Sequence, residues 1–105
     1  MVNNDFHIIG TALTDLELIS DKTKYKLYIL KVEVEKIANS EPFVLPITFI
    51  SSNRMVDFNG EYQGKMVAVN GYLDVDITKK NPLPRFIGQR IFILEKGVVF
   101  NSQEE

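Results

Sequence analysis

The chain has 105 residues, of which 45% are hydrophobic and 25% are charged, enough for one domain with a single modest core. It contains no cysteine, which excludes a disulfide framework and thiolate metal sites. Twelve basic and fourteen acidic residues give a net charge of -2, without the positive excess of most DNA-binding domains. The first residues lack the apolar stretch of a signal peptide, and the apolar runs are too short to span a bilayer. We therefore expect a cytoplasmic protein without membrane association.

The first half of the chain predicts two strands. Residues 5–13 form the first, and Gly10 within it indicates a bulge or a tight bend. Residues 25–35 form the longest, because apolar and charged residues alternate over its second half. Its first half, residues 27–29, is apolar on both sides. We expect the barrel interior to cover one of these apolar sides and a partner subunit to cover the other.

Three more strands are predicted in the second half, over residues 42–50, 65–75 and 85–96, which are rich in β-branched and aromatic side chains. Pro46 lacks a backbone donor, so it should lie at an edge or a bulge of its strand.

Residues 51–64 separate the third and fourth strands and predict one short helix. A serine at its start is a suitable N-cap, Met55 and Phe58 have helical i, i+3 spacing, and Asn59-Gly60 ends it. An otherwise all-β chain with one such helix indicates a five-stranded barrel of the oligonucleotide/oligosaccharide-binding (OB) fold. We assign residues 1–97 to this single domain and residues 98–105 to a short polar tail that we expect to be disordered.

Residues for catalysis are scarce. His7 is the only histidine and lies within a strand pattern, where a packing or surface role is the simpler interpretation. The sequence has no glycine-rich phosphate loop and no helix with paired metal ligands. Asp74 and Asp76 share one strand face, which is more simply a solvated face than a site. We expect no enzyme activity, no metal and no cofactor.

Several motifs resemble the bacterial and phage single-stranded-DNA-binding protein family over roughly residues 3–94. Asn3-Asn4, Ile8-Ile9-Gly10 and Asp15-x-Glu17-Leu18 are similar to the family's opening strand and its Asp-Pro-Glu-Leu signature, with Leu16 in place of proline. Gly64-Lys65-x-Val67-x-Val69-x-Gly71-x-Leu73 is similar to the family's segment after the helix, with Gln63 at the usual lysine position. Phe43 and Phe49 have the spacing of its two base-stacking aromatic positions.

The resemblance implies an OB barrel that forms homo-dimers or homo-tetramers and binds single-stranded DNA without strong sequence preference, in DNA replication, recombination or repair. Aromatic side chains would stack on bases and basic side chains would contact phosphates. The aromatic candidates are Phe43, Phe49, Tyr28 and Phe86. The basic candidates are Lys22, Lys24, Lys31, Arg54, Lys79, Lys80 and Arg85. Each has a plainer interpretation, as a core phenylalanine or as a solvated surface charge.

Three features depart from the family pattern. There is no tryptophan, Leu45 occupies a position where a basic residue would favour DNA, and the long acidic tail that recruits replication partners is missing. The short form resembles a phage or mobile-element protein, or the family's primosomal replication-restart relative. Replication or recombination proteins would then not be bound through an acidic tail. The alternative is an OB-fold protein-interaction or assembly subunit that has lost DNA binding.

Overall fold

A computed structural model describes residues 4–21, 24–34, 41–75, 80 and 84–94. Six strands lie in these ranges: β1 (Asp5–Ala12), β2 (Glu17–Ser20), β3 (Leu27–Val34), β4 (Phe43–Ile50), β5 (Met66–Val75) and β6 (Pro84–Ile93). The tail predicted over residues 98–105 lies outside the described residues.

Five of the strands close into a barrel. The sheet order is β1-β5-β6-β4-β3, and an additional β1–β3 pairing completes the ring. Strands β4 and β6 are parallel, and the other pairs are antiparallel. The short β2 continues the chain beyond β1 and pairs with β3. This closed five-stranded arrangement is the OB fold, which confirms the predicted fold class.

The core fills the barrel with alternate residues from each strand. Its largest fully buried side chains are Phe49, Leu30, Ile47, Val32, Val67 and Val69. Complete burial of a side chain of this size stabilises the fold by about 1.5–3 kcal/mol. The inward positions are therefore even-numbered in β3 and odd-numbered in β4, and the residues between them point to the outer surface.

The predicted helix is wrong. Residues 51–65 form a series of turns, and none of the described residues is helical. The Asn53 side-chain oxygen accepts a hydrogen bond from the Met55 amide at 2.7 Å, and Asp57 accepts one from the Asn59 amide at 3.0 Å. Such local bonds compete with helical hydrogen bonds. Met55 is also 62% exposed, so the i, i+3 pair does not form a buried stripe.

These turns close one end of the barrel and are attached to the end of β1. Buried Tyr62 donates its hydroxyl to the Asp57 carbonyl at 2.8 Å, and burial raises the pKa of Tyr62. One carboxylate oxygen of Asp15 accepts backbone hydrogen bonds from Tyr62 and Gln63, at 2.7 and 2.8 Å. The Gln63 and Tyr62 bonds together lower the pKa of Asp15. The charged carboxylate therefore fixes the segment that precedes β5.

The irregularities of the barrel differ in part from the predicted ones. Strand β1 keeps its register through Gly10, and a Cβ there would collide with the Glu33 carbonyl, so glycine permits close approach to β3. One bulge is in β6, where Gln89 is an extra residue opposite β5, and another is in β2, where Ile19 is an extra residue opposite β3. Pro46 lies immediately before the point at which β6 joins β4, as expected for a residue without a backbone donor.

Candidate nucleic-acid interface

The outer surface of β3, β4, β6 and β5 carries a row of paired residues. Cross-strand register joins Ile29 to Thr48, Thr48 to Ile87, and Ile87 to Tyr72. Thr48 and Ile87 are almost fully buried within this row, and Tyr72 is exposed. The row forms a largely apolar floor that crosses four strands.

An open groove of about 380 Å³ lies along this surface. Its lining combines aliphatic side chains with one cation. The outward-facing residues are Ile19, Leu27, Ile29, Pro46, Thr48 and Arg85, and the lining is completed by Pro84, Leu45 and Phe86. Ile19 is 52% exposed although it lies on a strand. A groove of this composition can cover apolar faces of a bound molecule and place one positive charge beside them.

Two of the predicted phosphate contacts lie on this surface. Lys31 on β3 pairs with Pro46 on β4. Arg85 on β6 directly precedes Phe86, which pairs with Ile47, the residue after Pro46. Lys31 and Arg85 therefore flank Pro46 on one side of the barrel, and both are exposed. Arg85 forms an ion pair of 3.0 Å with Asp74, its cross-strand neighbour on β5.

The remaining basic candidates are more scattered. Lys24 is exposed just before β3, with its Nζ 5.5 Å from the centroid of the Tyr25 ring. Lys80 is exposed in the connection that precedes β6, and Arg54 is exposed in the turns that close the barrel. Lys22 and Lys79 lie outside the described residues.

The structure corrects the assignment of Phe49 as a stacking residue. Phe49 is fully buried, and its ring packs so closely on Gly88 that a Cβ there would collide with it. No face of the ring is accessible to a base. Phe43 lies on the same side of β4, but it is at the start of the strand and 60% exposed, so its ring is accessible.

Tyr28 and Phe86 also pack inward, against the core. The Tyr28 ring lies 4.7 Å from the Phe58 ring, and the Phe86 ring meets the Phe6 ring edge-on at 5.2 Å. Each is partly buried in these pairs. Phe86 also contributes to the lining of the groove.

Tyr72 is an exposed aromatic residue that the sequence analysis missed. It lies on the outer surface of β5, on the same side as Asp74 and opposite the buried Val67 and Val69. Side chains alternate between the two faces of the strand along residues 66–75, which places Tyr72 on the opposite face from the buried valines. This alternation was the signal by which the sequence could have identified Tyr72. Its pairing with Ile87 places it at the far end of the apolar row from Ile29.

A second apolar surface covers β1, β5 and the end of β6. Ile9, Ala68 and Phe92 form one cross-strand row, and Met66 lies beside it. Ile9 is 53% exposed and Phe92 is 47% exposed. Apolar exposure of this kind, contiguous across three strands, is typical of an interaction surface.

Other functional features are limited in the described part of the chain. It holds no group of three or more acidic, histidine or cysteine residues arranged to bind a metal ion. It also includes no helical segment with the length and hydropathy needed to traverse a bilayer.

The geometry defines an OB-fold barrel with an apolar groove and two flanking cations on its outer surface. Comparison with solved structures finds the dimeric N-terminal domain of PriB from Thermoanaerobacter tencongensis, with a TM-score of 0.64 and 18% identity over 89% of this chain and 98% of that chain. It also finds the mitochondrial single-stranded DNA binding protein Rim1 from S. cerevisiae, with a TM-score of 0.69 and 11% identity over 90% of this chain and 97% of that chain. No protein-family model and no curated protein matches the sequence. At these identities the likeness confirms the OB fold expected from the family resemblance.

Proposed function

We propose that the protein binds single-stranded DNA without catalysis and with little sequence specificity, through the outer surface of β3, β4 and β6. The observation that carries this proposal is the position of Lys31 and Arg85 on either side of Pro46, a residue that lines an apolar groove. Bases are flat and apolar on their faces, and phosphates are regularly spaced anions, so a single strand matches such a surface. Of the two structural neighbours, the Rim1 protein is a single-stranded DNA binding protein, which supports the same function here.

The groove explains weak sequence preference. Its lining is aliphatic, so it offers bases a hydrophobic surface but few hydrogen-bonding groups that distinguish them. We assign base stacking on this outer surface to exposed Tyr72 rather than to buried Phe49. Phe43 remains a stacking candidate at the start of β4, on the inward side of that strand. Phosphate contacts are assigned to Lys24, Lys31, Lys80 and Arg85.

Salt dependence tests the proposal. Three or four phosphate contacts give a log–log slope of affinity against salt of about -2 to -3, from roughly 0.7 per contact on single strands. Fluorescence anisotropy with a labelled oligo-dT and a duplex control, at two salt concentrations, measures this slope. Lys31→Ala should weaken binding, and Lys65→Ala is the matched control because Lys65 is exposed at the end of the barrel closed by the turns. Absence of binding to oligo-dT at low salt would reject the proposal.

A protein-interaction subunit is the second candidate function. It is favoured by the aliphatic lining of the groove and by the ion pair that occupies Arg85. A subunit of this class would show no salt-dependent binding to oligo-dT, so the same measurement separates the two functions.

We also propose that the protein is a homo-dimer or homo-tetramer, with the β1, β5 and β6 surface buried between copies. The support is the exposed apolar row of Ile9, Ala68 and Phe92, and the dimeric state of the PriB domain. The sequence-based reason for an oligomer, the apolar residues 27–29, is better explained by the groove that Leu27 and Ile29 line. Light scattering should show an oligomer that Phe92→Glu dissociates. A monomeric wild-type protein would contradict this assignment.

DNA replication, recombination or repair is the proposed setting, because each exposes single strands. We propose a phage or mobile-element protein that acts in the host cytoplasm, or a primosomal replication-restart protein, as the sequence resemblance implies.

A further inference from the structure

The cation that lines the groove is paired with an acid on the neighbouring strand. An Nη2–Oδ2 distance of 3.0 Å joins Arg85 to Asp74, and their side chains are 55% and 45% exposed. Both lie on the outer surface, where they face each other across the β5–β6 pairing. Asp74 thus holds the guanidinium beside β5, at the margin of the groove.

A phosphate and Asp74 would use the same donors of Arg85. The guanidinium presents a planar fork of N–H groups that suits carboxylate and phosphate equally well. An exposed ion pair is weak and screened by salt, so an incoming phosphate can replace the carboxylate.

Lys31 provides the contrast within the same surface. It lies on the other side of Pro46, and no acid in the described ranges is within ion-pair distance of its ammonium group. The two cations that flank Pro46 are therefore unequal: the Lys31 charge is unpaired in this part of the chain, and the Arg85 charge is neutralised by its neighbour.

We propose that Asp74 restrains Arg85 and thereby limits the affinity of the protein for single-stranded DNA. This inference rests on the function proposed above, and it deepens that function by assigning a residue that sets binding strength. When a phosphate replaces Asp74 at Arg85, one anion is exchanged for another and few counterions are released. The pairing with Asp74 therefore also lowers the number of phosphate contacts that contribute to the salt dependence of binding.

Asp74→Asn tests the restraint directly. Anisotropy with labelled oligo-dT should show about two- to fivefold tighter binding at low salt, from the strength of an exposed ion pair. The log–log salt slope should become more negative by about 0.7, the value for one further contact. Asp74→Ser should behave in the same way if the charge is responsible. Glu61→Gln is the matched control, since it removes one negative charge beside the turns at the closed end of the barrel.

A double variant separates restraint from general repulsion. In an Arg85→Gln background, removal of the Asp74 charge should leave affinity unchanged within error. A persistent gain would overturn the inference, because Asp74 would then act on DNA without Arg85. If the wild-type protein binds oligo-dT and Asp74→Asn binds it with the same affinity and the same salt slope, the inference is overturned and the proposed function still stands. Failure of both proteins to bind would reject both. Binding by Asp74→Asn alone would also overturn the inference in this form, because an exposed ion pair of at most about 1 kcal/mol cannot abolish binding.

Discussion

Phe49→Ala is the substitution that most sharply tests the placement of the aromatic residues. The Phe49 ring is fully buried in the centre of the core and contacts the backbone of β6 at Gly88. Replacement by alanine removes the ring and leaves a cavity, at a cost of about 3–5 kcal/mol. Because the free energy of unfolding of a small domain is about 5–15 kcal/mol, this loss is a large part of the total stability.

Urea denaturation followed by circular dichroism measures this loss. With a slope of about 2 kcal/mol per molar urea for a domain of this size, the midpoint should fall by about 2 M and the slope should stay unchanged. Phe43→Ala is the matched control on the same strand. Its ring is 60% exposed, so its free energy of unfolding should change by no more than about 0.5 kcal/mol.

The opposite pattern would refute the reasoning. If Phe49→Ala kept the wild-type midpoint and lost affinity for oligo-dT, the ring would be accessible in solution and the buried placement would be wrong. If Phe43→Ala lowered the midpoint as much as Phe49→Ala, exposure in the barrel would not distinguish the two positions.

Three further predictions concern packing, pH and binding. Gly88→Ala should destabilise the fold by about 1–3 kcal/mol or more in urea, because the new Cβ collides with the Phe49 ring; an unchanged midpoint would contradict that contact. The pKa of Asp15 lies below its ordinary 3.8, so its carboxylate stabilises the folded state above that pH and loses this effect as the pH falls through its lowered pKa. Thermal melts should therefore show Asp15→Asn less stable than wild type near neutral pH, with the gap in melting temperature narrowing as the pH falls below 3.8, and a constant gap would exclude a role for the charge. Tyr72→Ala should weaken oligo-dT binding by about 1–3 kcal/mol with an unchanged melting temperature, and full affinity would remove Tyr72 from the site.

The strands and the barrel follow from local sequence features. Alternation along residues 30–35 and the valine pattern around Val67 and Val69 distinguish the two faces of their strands by residue type alone. These patterns, with the order of the apolar runs, were sufficient to predict the OB fold, and the sheet topology confirms it. The helix failed because its prediction used the spacing of Met55 and Phe58, while local side-chain bonds to the backbone determine the turns.

The burial of Phe49 was not predictable for a different reason. Residues 42–50 are apolar on both sides, so the period of two shows that Phe43 and Phe49 share a side but does not show which side faces the core. The structure places that side inward, with Leu45 and Ile47 between the two phenylalanines. Phe43 escapes burial only because it lies where the strand begins.

The pairing of Asp74 with Arg85 was beyond local prediction, because it depends on one inserted residue. Asn70 pairs with Arg90, and the same register continued without interruption would place Asp74 opposite Phe86. The bulge at Gln89 shifts the register by one, so that Asp74 faces Arg85 and Phe86 turns inward to meet Phe6. The Gln89 carbonyl accepts a hydrogen bond from the Asn53 side chain at 3.0 Å, which ties the bulge to the turns between β4 and β5. The position of the Arg85 charge beside the groove thus depends on a bulge that is hydrogen-bonded to a segment 36 residues away in the sequence.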